Sequence, residues 1–167
     1  MTRPNTIAVL LVITIGILWG LNWPAVKYVL GEVPPWTFRA IAFSAGAALL
    51  AIIALVRGAS LLVPRTDRWP IAICSVLMIL GFNIFTSFGQ LVTETSKAAI
   101  IAFTMPMWAA LLSAVFLGER IGVNKIISLA LGMSGLGVLI VSGDGEYLAR
   151  PLGFILMLCA ALSWAAG

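Results

Sequence analysis

The sequence predicts an all-α fold, a polytopic membrane helix bundle, on three observations. Apolar residues make up 62% of the 167 residues and charged residues 10%, whereas soluble domains have about 45–50% and about 25%. Six stretches of about 17–25 residues carry no charge, which is the length a helix needs to cross a bilayer. These stretches are apolar on every face, unlike the alternating strands of a membrane barrel.

Local sequence signals predict where several of the helices begin or end. The prolines at 34 and 35 end the first helix, because neither proline nor the residue before it continues a helix. Pro70 lies in the first turn of the third helix, and Thr95 and Ser96 supply a cap for the fourth. Gly143 to Glu146 form a turn before the sixth. The predicted helices are 5–30, 36–57, 69–92, 96–118, 123–142 and 151–167.

Several function classes receive no support from the sequence. The net charge of +4 comes from ten Lys and Arg scattered singly between apolar stretches, so we predict no nucleic-acid partner. There is no His, and Cys74 and Cys159 lie inside apolar runs, so we predict no metal site and no disulfide. No nucleophile with a neighbouring base and no phosphate-binding loop occurs. We therefore predict no enzyme activity, no catalytic residue and no cofactor.

The distribution of Lys and Arg predicts a cytoplasmic amino terminus, because positive charge concentrates in the short cytoplasmic loops. With that orientation six positive residues lie inside: Arg3, Arg57, Arg65, Arg68, Arg120 and Lys125. Four lie outside: Lys27, Arg39, Lys97 and Arg150.

The sixth segment has a tryptophan in the same relative position as the first segment. Trp19 in Leu18-Trp19-Gly20 and Trp164 in Ser163-Trp164-Ala165 both lie near the end of an apolar run. Five helices separate them, so a second copy would insert upside down, as in the repeats of transporters. The alternative is that any two membrane helices share Leu, Ala and Trp.

Two stretches resemble the EamA domain of the drug/metabolite transporter superfamily. They are 106–120, with an early proline and Leu-Gly-Glu-Arg at the end, and the glycine-rich 132–140. Leu18-Trp19-Gly20 and the stretch from Pro35 to Arg39 also match the family pattern. The resemblance implies that 5–142 is one five-helix EamA repeat, and that 151–167 is the first helix of a second, truncated repeat.

The resemblance also implies a function. It indicates a carrier of small solutes or metabolites, working by alternating access and most simply in efflux, in the bacterial inner membrane. Its partners would be the lipid bilayer, an unidentified solute, and the missing second EamA repeat or a homodimer partner. Two alternatives remain open: a non-transporting membrane scaffold or assembly subunit, and an inactive half-transporter fragment.

Four polar residues of the third helix are the clearest candidates for a solute path. Asn83, Thr86, Ser87 and Gln90 fall at i, i+3, i+4 and i+7, which is one face of a helix. An amide in hydrocarbon is costly without a partner, so this face should point into the bundle. There it would either line the path or hydrogen-bond to neighbouring helices.

The other candidates lie on four further helices. Trp19, Asn22 and Trp23 in the first helix, and Thr104 and Trp108 in the fourth, are candidates for the path. Trp23 and Lys27 could equally be anchors at the membrane interface. Arg39, at the outer start of the second helix, is a candidate for the cavity mouth, where it would snorkel or attract an anionic solute. Small residues at helix-packing spacing are Ala42 with Gly46 and Ser128 with Gly132.

Overall fold

The computed structural model describes residues 6–119, 122–142 and 151–167, with the side chains of 139–142 left aside. Every element in these ranges is helical, which confirms the predicted fold class. The helices are α1 (Thr6–Glu32), α2 (Pro35–Val56), α3 (Arg68–Cys74), a π-helical turn (Ser75–Gly81), α4 (Phe82–Val92), α5 (Thr95–Ala102), α6 (Met105–Leu117), α7 (Val123–Ser142) and α8 (Pro151–Ala166).

Among the residues that the structure describes, four helical stretches are long and apolar enough to span a bilayer: Thr6–Glu32, Pro35–Val56, Arg68–Val92 and Thr95–Leu117. At most 28% of the apolar window in any of them is buried inside the protein. A soluble protein does not expose so much apolar surface to water. The chain is therefore a multi-pass membrane protein whose helices contact lipid.

The fourth span is two helices where the sequence predicts one over 96–118. α5 ends at Ala102, Phe103 and Thr104 form a turn, and Pro106 lies in the first turn of α6. A proline ring clashes with the carbonyl of the residue four positions earlier, which here is Ala102. The helix therefore stops where that clash would occur.

The third span is also irregular, because the π-helical turn separates α3 from α4. The hydroxyl of Ser163 in α8 donates a hydrogen bond to the carbonyl of Leu77 in this turn, over 2.7 Å. Turns of this type are rare and occur often at functional sites. Here the turn lies where α8 crosses the third span.

α8 is the central helix of the described fold, since it packs against the π-helical turn, α4, α5 and α6. Two glycines allow α8 to lie close to α4 and to the residue that follows it. A Cβ on Gly89 of α4 would lie 2.5 Å from the sulfur of Met157, and a Cβ on Gly153 would lie 3.2 Å from the Cβ of Thr93. Met157, Ala160 and Ala161 are fully buried in this contact.

The buried residues of α1, α2 and α4 lie at one end of the bundle. This packed end is the end that holds the connections at 33–34 and 93–94. It contains Trp23, Val26 and Leu30 of α1, Arg39 of α2, the 86–90 part of α4, and α5. Residues 6–22 of α1 and 40–56 of α2, at and toward the other end, are largely exposed. α1 and α2 are therefore packed against other helices mainly at this end, whereas α8 also packs along the π-helical turn and α6.

Candidate functional site

The polar face of α4 is buried. Thr86 is 2% exposed, Ser87 0% and Gln90 2%, while Asn83 is half-buried. These residues alternate with apolar ones at helical spacing, so one side of α4 is polar and turned toward other helices. α1, α2, α5 and α8 all pack against α4.

Three of these side chains donate to carbonyls of their own span. Asn83 Nδ2 donates to Ile79 O over 2.8 Å, and Thr86 Oγ1 and Ser87 Oγ donate to Asn83 O over 3.1 and 2.7 Å. Bonds of this kind satisfy hydroxyl groups inside helices without help from a neighbour. The hydroxyl oxygens keep lone pairs that can accept further hydrogen bonds.

Arg39 uses one of those lone pairs. Its side chain is only 8% exposed, and its Nε donates to Ser87 Oγ over 2.7 Å. Its Cζ lies 4.8 Å from the centre of the Phe38 ring, within the range of a cation–π interaction. The bond joins α2 to α4, so Ser87 makes a contact between helices as well as forming part of the polar face.

Lys27 binds the carboxyl end of α4. Its amine donates to the carbonyl of Gln90 and, over 3.2 Å, to that of Thr93. The last carbonyls of a helix have no partner inside the helix and carry partial negative charge, so a cation is favourable there. The structure thus has Lys27 bound to protein, where the sequence favoured an interface anchor.

Trp23 and Gln90 have unused hydrogen-bonding capacity. Among the residues that the structure describes, Trp23 Nε1 and Gln90 Oε1 are the buried side-chain polar atoms without a hydrogen-bond partner. The Trp23 ring packs against Phe103, with centroids 5.9 Å apart. A buried donor or acceptor left unpaired costs about 1–3 kcal/mol.

Thr104 and Trp108 meet at the break between α5 and α6. Thr104 Oγ1 donates to Ile101 O over 2.6 Å and accepts a hydrogen bond from Trp108 Nε1 over 3.1 Å. Thr104 also lines a cavity of about 680 Å³ between α5, α6 and α7, whose walls are mostly apolar. These two predicted path residues are therefore hydrogen-bonded to each other.

The remaining predicted residues are exposed. Trp19 and Asn22 lie on the outer surface of α1. Ala42, Gly46, Ser128 and Gly132 are exposed as well, and a Cβ on Gly46 or Gly132 would meet no atom within 4 Å. Their role in helix packing stays a prediction, for a partner other than the described residues.

The Leu-Gly-Glu-Arg stretch ends α6. Gly118 adopts φ = 67°, a left-handed conformation that favours glycine and terminates helices. A hydrogen bond from Ser113 and the charge of Lys125 hold the pKa of Glu119 below its ordinary value. Glu119 lies 3.4 Å from the amine of Lys125 on the exposed surface, whereas Arg120 lies outside the described residues.

A second cavity, of about 610 Å³, opens at the packed end beside Lys27, Thr93, Glu94 and Gly153. Neither this cavity nor the one between α5, α6 and α7 is lined by the polar residues of α4. Met157 of α8 lies against Gly89 on the adjoining face of the same helix. In this arrangement the polar face of α4 is covered by protein.

The sequence did not predict three contacts that hold the third span against its neighbours. They are the bond from Lys27 to α4, the contact of Met157 with Gly89, and the bond from Ser163 to Leu77. Gly81 and Gly89 lie eight residues apart, about two helical turns, and that spacing was a usable sign of a helix-packing face. The choice of α8 as the partner depends on a contact between distant parts of the chain, which no local pattern reports.

Comparison with known proteins identifies relatives over nearly the whole chain. The family model of the EamA-like transporter family matches residues 6–141. The chain is 35% identical over 165 residues to the uncharacterized transporter YvbV of Bacillus subtilis strain 168, covering 98% of this chain and 53% of that protein. It is 28% identical to a probable amino-acid metabolite efflux pump of Escherichia coli K12, covering 100% of this chain and 53% of that protein.

A solved crystal structure shares the fold. It superposes with a TM-score of 0.57 at 25% sequence identity, covering 82% of this chain and 48% of the other. The chain thus spans about half the length of the curated relatives it matches.

Proposed function

Since the chain belongs to the EamA-like transporter family, we propose that it forms one half of a membrane carrier that moves small solutes by alternating access. The observation that carries this proposal is the buried polar face of α4 inside a bundle whose other buried residues are mostly apolar. Polar groups in membrane helices are costly, and they mark substrate pathways. A purely structural bundle could fill the same space with Leu or Ala.

The unpaired buried atoms indicate which groups of a solute this region could bind. Trp23 Nε1 supplies a buried donor and Gln90 Oε1 a buried acceptor, and both belong to helices of the packed end. A solute with polar groups would satisfy them and recover the cost of leaving them unpaired. Asn83, Thr86, Ser87, Thr104 and Trp108 complete the set of path residues in this proposal.

The packed end supports alternating access, because a carrier of this kind closes on one side while it opens on the other. With a cytoplasmic amino terminus in the bacterial inner membrane, the packed end faces outward and the exposed ends of α1 and α2 face the cytoplasm. Efflux is the proposed direction, and the name of the E. coli relative, an efflux pump, is its support. The second half is proposed to be another EamA repeat or a second copy of this chain.

Cysteine labelling tests the carrier in membranes. Single cysteines at Asn83, Ser87 and Gln90, in a protein with Cys74 and Cys159 replaced by Ala, should react with a membrane-impermeant thiol reagent. The reaction should be faster from the cytoplasmic side, and a transported solute should slow it. A cysteine at Leu80, which is exposed in the same span and faces lipid in this proposal, is the matched control and should stay unlabelled.

Uniform inertness of the three cysteines would count against a water-filled path and favour the scaffold alternative. Labelling that is faster from the outer side would contradict the proposed orientation.

A further inference from the structure

Arg39 is a buried cation in a membrane-spanning helix. Its side chain is 8% exposed, and charged groups at such positions are rare and usually paired. Within the described ranges, the ion pairs join Lys97 to Glu94 and Lys125 to Glu119, and Arg39 has no carboxylate partner. The charge of Arg39 is therefore not neutralised by any described residue.

The surroundings of Arg39 fix the orientation of its guanidinium. Ser87 accepts the Nε hydrogen over 2.7 Å, and the Phe38 ring lies 4.8 Å from Cζ. A guanidinium has five N–H groups, of which one is on Nε and four are on the two Nη nitrogens. Since Ser87 occupies Nε, the described residues leave the Nη edge as the edge that can bind another group.

The Nη edge of a guanidinium can bind an oxyanion. Two parallel N–H groups match the two oxygens of a carboxylate in a bidentate pair, which is stronger and more directional than contact with a single ammonium. A neutral solute would leave the buried charge uncompensated, whereas a carboxylate would neutralise it. Ser87 belongs to the polar face of α4, so this edge adjoins the proposed solute path.

We propose, on the basis of the carrier function above, that Arg39 binds the carboxylate of the transported solute through its Nη edge, with Ser87 as the positioning residue. The substrate class is then small molecules that carry a carboxylate, as organic acids or as zwitterions. The phosphate of a lipid headgroup has related oxyanion chemistry. The burial of Arg39 by protein favours the solute, because a headgroup reaches exposed surface more readily.

Binding of matched probes to the full chain tests this proposal. The chain is placed in nanodiscs of phosphatidylcholine, and binding is followed by the fluorescence of its six tryptophans. The probes are acetate, phenylacetate and glutarate, each compared with its uncharged amide. At least one carboxylate should bind saturably and at least tenfold more tightly than its amide.

The variant Arg39→Gln should weaken binding of that carboxylate by roughly tenfold to a hundredfold, the usual effect of losing a charge-assisted hydrogen bond. It should leave binding of the amide unchanged. Arg39→Lys keeps the positive charge but lacks the two parallel N–H groups, so it should give an intermediate loss of carboxylate affinity. The matched control is Arg57→Gln, at the other, exposed end of α2, which should bind as the unmodified chain does.

Three results would overturn the proposal. One is equal binding of carboxylates and amides by the unmodified chain. Another is an equal loss of both probes in Arg39→Gln, which would make Arg39 a structural link between α2 and α4. The third is carboxylate binding that is present in the phosphate-free detergent dodecyl maltoside and absent in phosphatidylcholine, which would assign the site to a lipid phosphate. Cysteine labelling of Gln90 in the same preparation separates the two hypotheses, since it reports on the water-filled path whether or not carboxylates bind.

Discussion

Two cations at the packed end, Lys27 and Arg39, are held by oxygen atoms of α4. Lys27 binds the last carbonyls of the helix, and Arg39 binds the hydroxyl of Ser87 one turn earlier. Both side chains reach across from a neighbouring helix, so each bond fixes the position of α4 relative to α1 or α2. In a low-dielectric surrounding such bonds are stronger than they are in water.

At the residue scale, Lys27→Met tests the bond at the end of α4. Methionine keeps most of the length of the side chain and removes its three donors, which leaves the carbonyls of Gln90 and Thr93 without the cation. We expect the free energy of unfolding to fall by about 1–3 kcal/mol, measured by thermal unfolding in detergent.

The control for that change is Lys125→Met. Lys125 pairs with Glu119 on the exposed surface, and exposed pairs contribute little. A Lys27→Met variant as stable as Lys125→Met would show that the bond to α4 contributes nothing measurable.

At the scale of elements, the contact of α8 with α4 organises the described core. Glycine on α4 and glycine on α8 bring the two backbones close, and the flexible Met157 fills the space over Gly89. Between membrane helices, close packing of this kind is a main source of association, because lipid removes the usual hydrophobic driving force. The position of α8 therefore depends on small side chains rather than on apolar ones in general.

Gly89→Leu tests this dependence. Even a Cβ at this position approaches Met157 within 2.5 Å of its sulfur, and the larger Leu side chain must push α8 away. Overpacking typically costs about 1–3 kcal/mol, so we expect lower thermal stability of the variant in detergent.

The matched control for Gly89→Leu is Gly16→Leu, where a Cβ meets no atom within 4 Å. There the replacement should stabilise the helix slightly, by up to about 1 kcal/mol, because glycine is a poor helix former. Equal effects at the two positions would mean that α8 does not pack on Gly89 in the membrane.

For the whole molecule, the uneven distribution of burial is the main feature. The core lies at the packed end, while most of α2 and α7 is exposed, including the small residues Gly46 and Gly132. The chain also spans about half the length of its curated relatives. Both facts support the proposal that these faces meet a second EamA repeat or a second copy of the chain.

Co-purification of two differently tagged copies from membranes tests the second possibility. We expect the copies to associate, and Gly46→Leu or Gly132→Leu to reduce the recovered pair severalfold, since a large side chain prevents close approach of helices. Gly16→Leu should leave the amount of pair unchanged. Failure of the unmodified copies to associate would exclude the homodimer and leave the second repeat as the proposed partner.

Much of the fold could be predicted because it depends on local quantities. Run length, charge spacing and proline positions predict where a chain crosses a bilayer, and a helix satisfies its own backbone without reference to the rest of the molecule. The break at Thr104 was within reach of the same reasoning, since Pro106 forbids a continuous helix through Ala102. The polar face of α4 followed from its spacing alone, whereas its use as a solute path remains a prediction.

The sequence by itself determined the class of this protein: a membrane bundle of apolar helices with one polar face in its third span. Only the tertiary structure decided which partners the polar groups take, so that Ser87 receives Arg39, Lys27 binds the end of α4, and Trp23 and Gln90 keep unused atoms. The physical reason is that hydrogen bonds and close packing join residues far apart in the chain. Their geometry depends on how whole helices cross, and helical spacing within one segment carries no information about that crossing.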